Sequence, residues 1–261
     1  MQSLKFLVAF LFFGFGAHAQ NMNNSMAHNR LSSFNVAHAG LDGGQINYSA
    51  VLNSKYGSNS SLLFETRLGK SNFSLSGQFE NSENFFYAHH RKEIGLSYQA
   101  KLNNGHSLNF GVGYGKASTS YSYISNLNNY NSSTRSLHTT RFGALYAGKR
   151  FKVGAEYGLR FEEYGTDRHQ LINLLYQQTI IDRDQFKLTT NLVLSNYSSS
   201  LEANLLFNNK YSLTAGYDAR RGFYMGAGYK FTEKLEVNMS LGGFPGTPQR
   251  TSLQFGIKLA L

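Results

Sequence analysis

From Ser252 to Leu261 the chain alternates without a break. Leu253, Phe255, Ile257, Leu259 and Leu261 fall on one face; Ser252, Gln254, Gly256, Lys258 and Ala260 fall on the other. Successive side chains of a strand point to opposite faces, so this is a ribbon with one oily and one wet side. The pattern recurs in fourteen segments: 45–52, 61–69, 73–80, 92–102, 106–116, 140–148, 151–162, 170–181, 186–195, 201–207, 211–217, 223–231, 235–241 and 252–261. The number is even, and the lengths lie near the roughly 9–11 residues of a tilted membrane-spanning strand. In 151–162, Phe151, Val153, Ala155, Tyr157, Leu159 and Phe161 oppose Lys152, Gly154, Glu156, Gly158, Arg160 and Glu162. A soluble sandwich also alternates, but it buries its apolar face against a second sheet. Charges on the polar face of strand after strand suit a wet lumen instead. The fold class is therefore all-β: an antiparallel transmembrane β-barrel of about fourteen strands, with lipid against its oily face and the outer membrane as its location.

Connection lengths carry the same rhythm. Joints after even-numbered segments are short, such as Lys70-Ser71-Asn72, Asn103-Asn104-Gly105 and Asn208-Asn209-Lys210. Those after odd-numbered segments are generally longer, notably 81–91, 117–139 and 242–251, the last holding Pro245 and Pro248. Short periplasmic turns and long outside loops are the expectation for such a barrel. Segment 170–181 has apolar residues on both faces (Leu171, Ile172, Leu174, Leu175, Tyr176), which leaves its register open.

Residues 1–19 read as a secretory signal peptide: Lys5 gives the positive start, 6–15 the apolar stretch, and Ala17-His18-Ala19 the small-x-small cleavage site before Gln20. Residues 20–42, rich in Asn and Ser, form a periplasmic lead-in that lies in or under the barrel, and 43–261 form the barrel as one domain. With no cysteine, neither a disulfide frame nor a lipid-anchored cysteine is available. The mean hydropathy of −0.36 is compatible with membrane insertion, because a spanning strand gives lipid only about half its residues. The net charge of +10 is spread over polar strand positions and turns rather than a block. That argues against nucleic acid and for anionic headgroups or cell-surface polymers.

Candidates for chemistry are sparse. His28, His38, His89, His90, His106, His138 and His169 show no metal-ligand spacing, and the adjacent pair His89-His90 would point apart on a strand. No Ser-centred glycine elbow marks a hydrolase. No catalytic residue, metal or cofactor is expected. The inward charges say more: Glu65, Arg67, Lys152, Glu156, Arg160, Glu162, Glu202, Lys230, Glu236 and Lys258 would share the lumen. They form either an ion-pair network that fills it or the lining of a solute path, and their mixed signs give no selectivity ring. The run Asn84-Phe85-Phe86-Tyr87 reads as interfacial girdle or docking patch, and Asp218-Ala219-Arg220-Arg221-Gly222 as a polar connection facing lipopolysaccharide phosphates.

Two stretches carry a family resemblance. Phe34-Asn35-Val36-Ala37-His38-Ala39-Gly40, followed by Leu41-Asp42-Gly43-Gly44, resembles the Asn-Pro-Ala-x-Ala-Gly lead into the first strand of the PorP/SprF proteins of type IX secretion, with Val36 in place of proline. Leu201-Glu202-Ala203-Asn204-Leu205-Leu206-Phe207-Asn208-Asn209-Lys210, continuing through Gly216-Tyr217 to Gly228-Tyr229-Lys230-Phe231-Thr232, is similar to that family's strand pair with an Asn-x-Lys turn and glycine-aromatic strand. The resemblance implies a non-enzymatic outer-membrane component of the type IX secretion and gliding machinery of Bacteroidota. It implies periplasmic, peptidoglycan-associated partners and a secreted cargo or adhesin. It also makes Asn35, Ala37, Ala39 and Gly40 structural residues where the lead-in joins the barrel. The residues alone leave open a channel for small solutes or hydrophobic compounds, and a membrane-embedded hydrolase.

Overall fold

A backbone amide in hydrocarbon can find a hydrogen-bond partner only on a neighbouring strand, so a sheet that crosses a membrane must close on itself. The computed structural model of the protein describes residues 31–53, 57–83, 87–126, 129–163, 168–196, 199–219, 222–243 and 252–261. It shows one closed antiparallel barrel of fourteen strands, with β1 (Gln45–Asn53) paired to β14 (Ser252–Ala260). Between them run β2 (Gly57–Arg67), β3 (Phe73–Glu83), β4 (Tyr87–Lys101), β5 (Ser107–Asn126), β6 (Asn129–Ala147), β7 (Phe151–Glu162) and β8 (Arg168–Asp182). The circuit continues through β9 (Phe186–Ser195), β10 (Ser199–Phe207), β11 (Tyr211–Asp218), β12 (Gly222–Lys230) and β13 (Leu235–Gly243). Each strand pairs with its sequence neighbours. No helix among the described residues is long and apolar enough to cross a membrane.

Alternation sorts the side chains as the sequence pattern requires. Along β14, Phe255 and Ile257 are exposed on the outside, while Gln254 is buried in the lumen. Aromatic rings on the outer face mark one rim: Phe186, Phe207, Tyr211, Tyr229 and Phe231 stand in a row with successive centroids 4.8–6.5 Å apart. Phe73–Tyr98 and Tyr146–Phe151 continue it elsewhere on the same rim. This girdle lies at the end bearing the short turns, which sets the periplasmic interface. At one of these turns Asn208 (φ 50°) and Asn209 (φ 54°) are both left-handed, and Lys210 N–H donates to Phe207 O. This is the I′ geometry that suits strand twist and that asparagine tolerates.

Two expectations need correction. Most of 81–91 and 117–139 is strand rather than loop: β3 and β4 pair up to Glu83 and Ala88, and β5 and β6 run for 20 and 19 residues. Spanning needs about half that length, so the β5–β6 hairpin stands roughly 25 Å beyond the membrane. Above the lipid both faces are wet, so hydropathy loses its period (Ser118, Thr119, Ser120) although the ladder continues. Residues 1–30, 84–86, Arg220-Arg221 and the proline-bearing 244–251 lie outside the described residues, and with them the signal peptide, the rest of the lead-in and most of the aromatic run.

Charge on the outer wall is the strain this fold is built to avoid. Met239→Arg, mid-strand and outward, is expected to cost about 2–4 kcal/mol, whereas Leu235→Arg, outward at the periplasmic end of β13, costs about 1 kcal/mol or less. Urea titration in lipid vesicles measures both.

Candidate functional site: a clamped segment in the lumen

Residues 31–42 run inside the barrel as a one-turn helix α1 (Leu31–Phe34), a 3₁₀ turn at Val36–His38, and the link through Gly40 to β1. The wall is shaped to receive it. Gly95, Gly111, Gly143 and Gly154 face inward on β4 to β7. A Cβ on Gly111 would sit 2.6 to 2.9 Å from the backbone of Val36 and Ala37, one on Gly95 2.6 Å from Val36 Cγ2, and one on Gly154 2.6 Å from Asn35 Nδ2. On the other side Leu31 and Ala37 pack with Leu145, Ala147, Leu175 and Val193, with Phe34 and Leu41 against them. This contact settles the register of β8. Ile172, Leu174 and Tyr176 face lipid, while Leu171 and Leu175 point inward and are buried, Leu175 in this apolar cluster.

Polar contacts then fix the segment's backbone. Asn35 donates through Nδ2 to Ala144 O and Ala155 O, both at 3.2 Å, and its Oδ1 accepts from Ala37 N–H at 3.0 Å. Ala39 O accepts from Ser97 Oγ at 2.9 Å. Gly40, at φ +67°, donates its N–H to Glu65 Oε2 at 3.0 Å, and Ser32 Oγ donates to the other oxygen of Glu65. Val36 N–H donates to Glu156 Oε2 at 2.8 Å. A proline at that position would have no such donor, so this bond depends on a residue with a free backbone N–H, here valine.

At the centre stands Arg141, 1% exposed. Its Nε and Nη2 form a bidentate pair with Glu156 at 2.7 and 2.6 Å, Nη1 donates to Glu93, and Nη2 reaches Ser33 O at 3.0 Å. Asn173 Nδ2 donates to Glu156 Oε1 and to Phe34 O, each at 3.0 Å. Glu93 also holds Arg91 at 2.5 Å, and Arg91 lies 3.7 Å from Glu80. Five buried charges on four strands are thus cross-linked through the lumen and tied to the segment's carbonyls. Such a set tolerates desolvation only because its geometry satisfies each group. Removing one partner from a pair of this kind costs about 3–5 kcal/mol.

The charges picked out from sequence separate into three groups. Glu65, Lys152 and Glu156 grip residues 31–42, Lys152 through Asp42 (2.6 and 2.8 Å) and His38 (3.3 Å). Arg67 donates to Gln99 Oε1 at 2.9 Å, Glu162 lies 3.8 Å from Arg135, and Arg160 is half-buried on the same inner face. Lys230, Glu236 and Lys258 are register partners on β12, β13 and β14, with Lys258 close enough to His38 and Asp42 for its charge to act on both, and Glu202 accepts from Asn191 and Tyr224. Arg141, Glu93 and Asn173 were missed. The inward parity of their strands, beside the outward Phe142, Ile94 and Ile172, was the available signal. No group of three or more metal-ligating side chains occurs among the described residues.

A family model described as type IX secretion system membrane protein PorP/SprF matches residues 57–244. Among solved structures, the Pseudomonas putida toluene transporter TodX superposes with TM-score 0.54 at 11% identity, covering 93% of this chain and 94% of that one. The Acinetobacter baumannii outer membrane protein Omp33 gives 0.50 at 10% identity, covering 84% and 98%. At these identities the likeness is one of fold. No curated protein matches the chain.

Burial, then Lys152 beside it, pushes the His38 ring from 6.5 down to about 3. The docked segment therefore holds this ring neutral. Once the segment is released, the ring protonates near its ordinary value. Docking is fully supported above pH about 6.5 and weakens as pH falls from there toward 3. With Phe34→Trp as the sole tryptophan, emission should shift red over that window, and His38→Asn should flatten the response.

Proposed function

We propose a function that proceeds from one premise: this chain belongs to the PorP/SprF family of type IX secretion system membrane proteins. It is an outer-membrane barrel, a component of that secretion machinery, and its family and fold are those of secretion components and porins rather than enzymes. Our reading is that it is a non-enzymatic scaffold that assists export or surface anchoring of cargo proteins. Residues 1–19 would be removed on export, 20–42 would serve as the lead-in, and 43–261 as the barrel.

One observation carries this reading. Residues 31–42 occupy the lumen and are bonded to it from several strands by Glu65, Ser97, Arg141, Lys152, Glu156 and Asn173. A segment so tied favours a filled support over an open pore, and it leaves the two ends of the barrel as the surfaces available to partners. At the periplasmic end these are the short turns, suited to periplasmic and peptidoglycan-associated secretion proteins. At the outer end it is the β5–β6 hairpin, suited to secreted cargo or an adhesin. Asn35, Ala37, Ala39 and Gly40 are structural on this reading, since each is used to seat the segment.

A channel for small solutes or hydrophobic compounds remains the competing use of the same architecture, and TodX is described as a toluene transporter. Two measurements separate them. In cells lacking the gene, secreted and surface-attached proteins should be depleted, and crosslinkers placed in the short turns should capture periplasmic secretion proteins. In planar bilayers the purified barrel should give no stable conductance. A steady open current with an unchanged secretome would contradict the scaffold reading.

A further inference from the structure

The outer wall of β3 to β8 differs from the rest of the barrel. On β9 to β14 and on β1 and β2 the outward side chains of the described residues are uncharged. On β4 and β5, Lys92 and Lys116 both point outward and are direct register partners. Like charges placed opposite one another on a sheet face are destabilising. Lys92 makes no hydrogen bond or ion pair among the described residues, and Lys116 has one carboxylate, Glu163 Oε2 at 3.0 Å. The next partner in the row, His138, lies 3.8 Å from Glu163 and accepts or donates one bond with Tyr114 at 2.5 Å.

Their height is informative. Lys116 stands nine residues along β5 from Ser107, and Lys92 nine residues along β4 from Lys101. At about 3.3 Å per residue and a tilt near 40°, that is roughly 23 Å above the periplasmic rim, where an apolar band about 25 Å tall ends. Below the pair the same outer face is Ile94, Leu96, Val112 and Tyr114; above it stand His90, Ser118 and Ser120. A groove of about 450 Å³ opens beside Lys92, with Tyr48, Leu62 and Phe79 as its apolar side, Asn81 and His90 as its polar side, and the mutually paired Glu80 and Arg91 also in its wall.

We propose that Lys92 and Lys116 clasp a phosphate of an outer-leaflet glycolipid of the lipid A type, with an acyl chain in the adjoining groove. An anion between the two ammonium groups removes their repulsion, and its position at the edge of the apolar band is where such a phosphate lies. One side of the groove is apolar and the other polar, which matches a chain joined to a charged headgroup. Glu83 and Glu163 are the acidic side chains on this face. Glu163 holds Lys116 from the side of β7, away from Lys92 and the groove.

The test is native mass spectrometry of the folded barrel in detergent with bisphosphorylated lipid A as probe. Wild type should retain the lipid, and K92Q/K116Q should bind it roughly tenfold more weakly, as expected for two charge-assisted contacts at partly exposed positions. Dephosphorylated lipid A on wild type should bind as weakly, which tests the idea even if the double variant misfolds. Equal retention by the variant, equal retention of the dephosphorylated lipid, or displacement of lipid A by millimolar inorganic phosphate would overturn it. None of these readouts depends on secretion, so its failure and that of the scaffold reading are distinguishable.

Discussion

Hydrocarbon offers a peptide group no hydrogen-bond partner, and the molecule is organised around that fact. Closure of β1 onto β14 leaves no strand edge in the lipid, and the alternating side chains then decide what each surface meets. The outer face needs only to be apolar, and lipid fills any irregularity. The inner face has no such forgiving neighbour. A barrel of this size encloses space that has to be filled by water, side chains or another part of the chain.

Here another part of the chain does much of the filling, and it explains features of the lumen that a water-filled pore would not require. Inward glycines on four consecutive strands remove side chains where the segment passes. Inward leucines on β6 and β8 supply apolar contact where Leu31 and Ala37 lie. Arg141 and Glu156 are buried together because each completes the other's bonding and both reach the segment's backbone. Buried ion pairs add little net stability over apolar packing, but they punish misplacement severely. The clamp is therefore better understood as fixing where the segment sits than as holding the barrel together.

Much of this was legible in the sequence, and what was hidden had physical causes. The fourteen-fold alternation marks the strands because one face of each must suit lipid. The same rule failed above the membrane, where β5 and β6 keep pairing with polar residues on both faces. It wavered at β8, where apolar residues point both ways because the inner ones meet α1 and the 3₁₀ turn rather than water. Glu65, Lys152 and Glu156 could be placed in the lumen by parity alone. Their partners could not, because Asp42, Ser32 and the amide of Val36 lie on a segment with no period of its own. Arg141 has the right parity but was passed over, and its weight emerges only when Glu93, Glu156 and Ser33 converge on it from distant points in the chain.

The account stands on residues 31–41 being seated in the lumen through Arg141. Amide hydrogen exchange of the bilayer-embedded protein reads this directly, because the segment lies outside the strand ladders. It should exchange nearly as slowly as the strands, and Arg141→Ala should speed it by two orders of magnitude or more, in line with the roughly 3 kcal/mol or more lost on breaking such a pair, while the strands stay protected. Exchange of this segment at the rate of open chain in the unaltered protein would contradict the account.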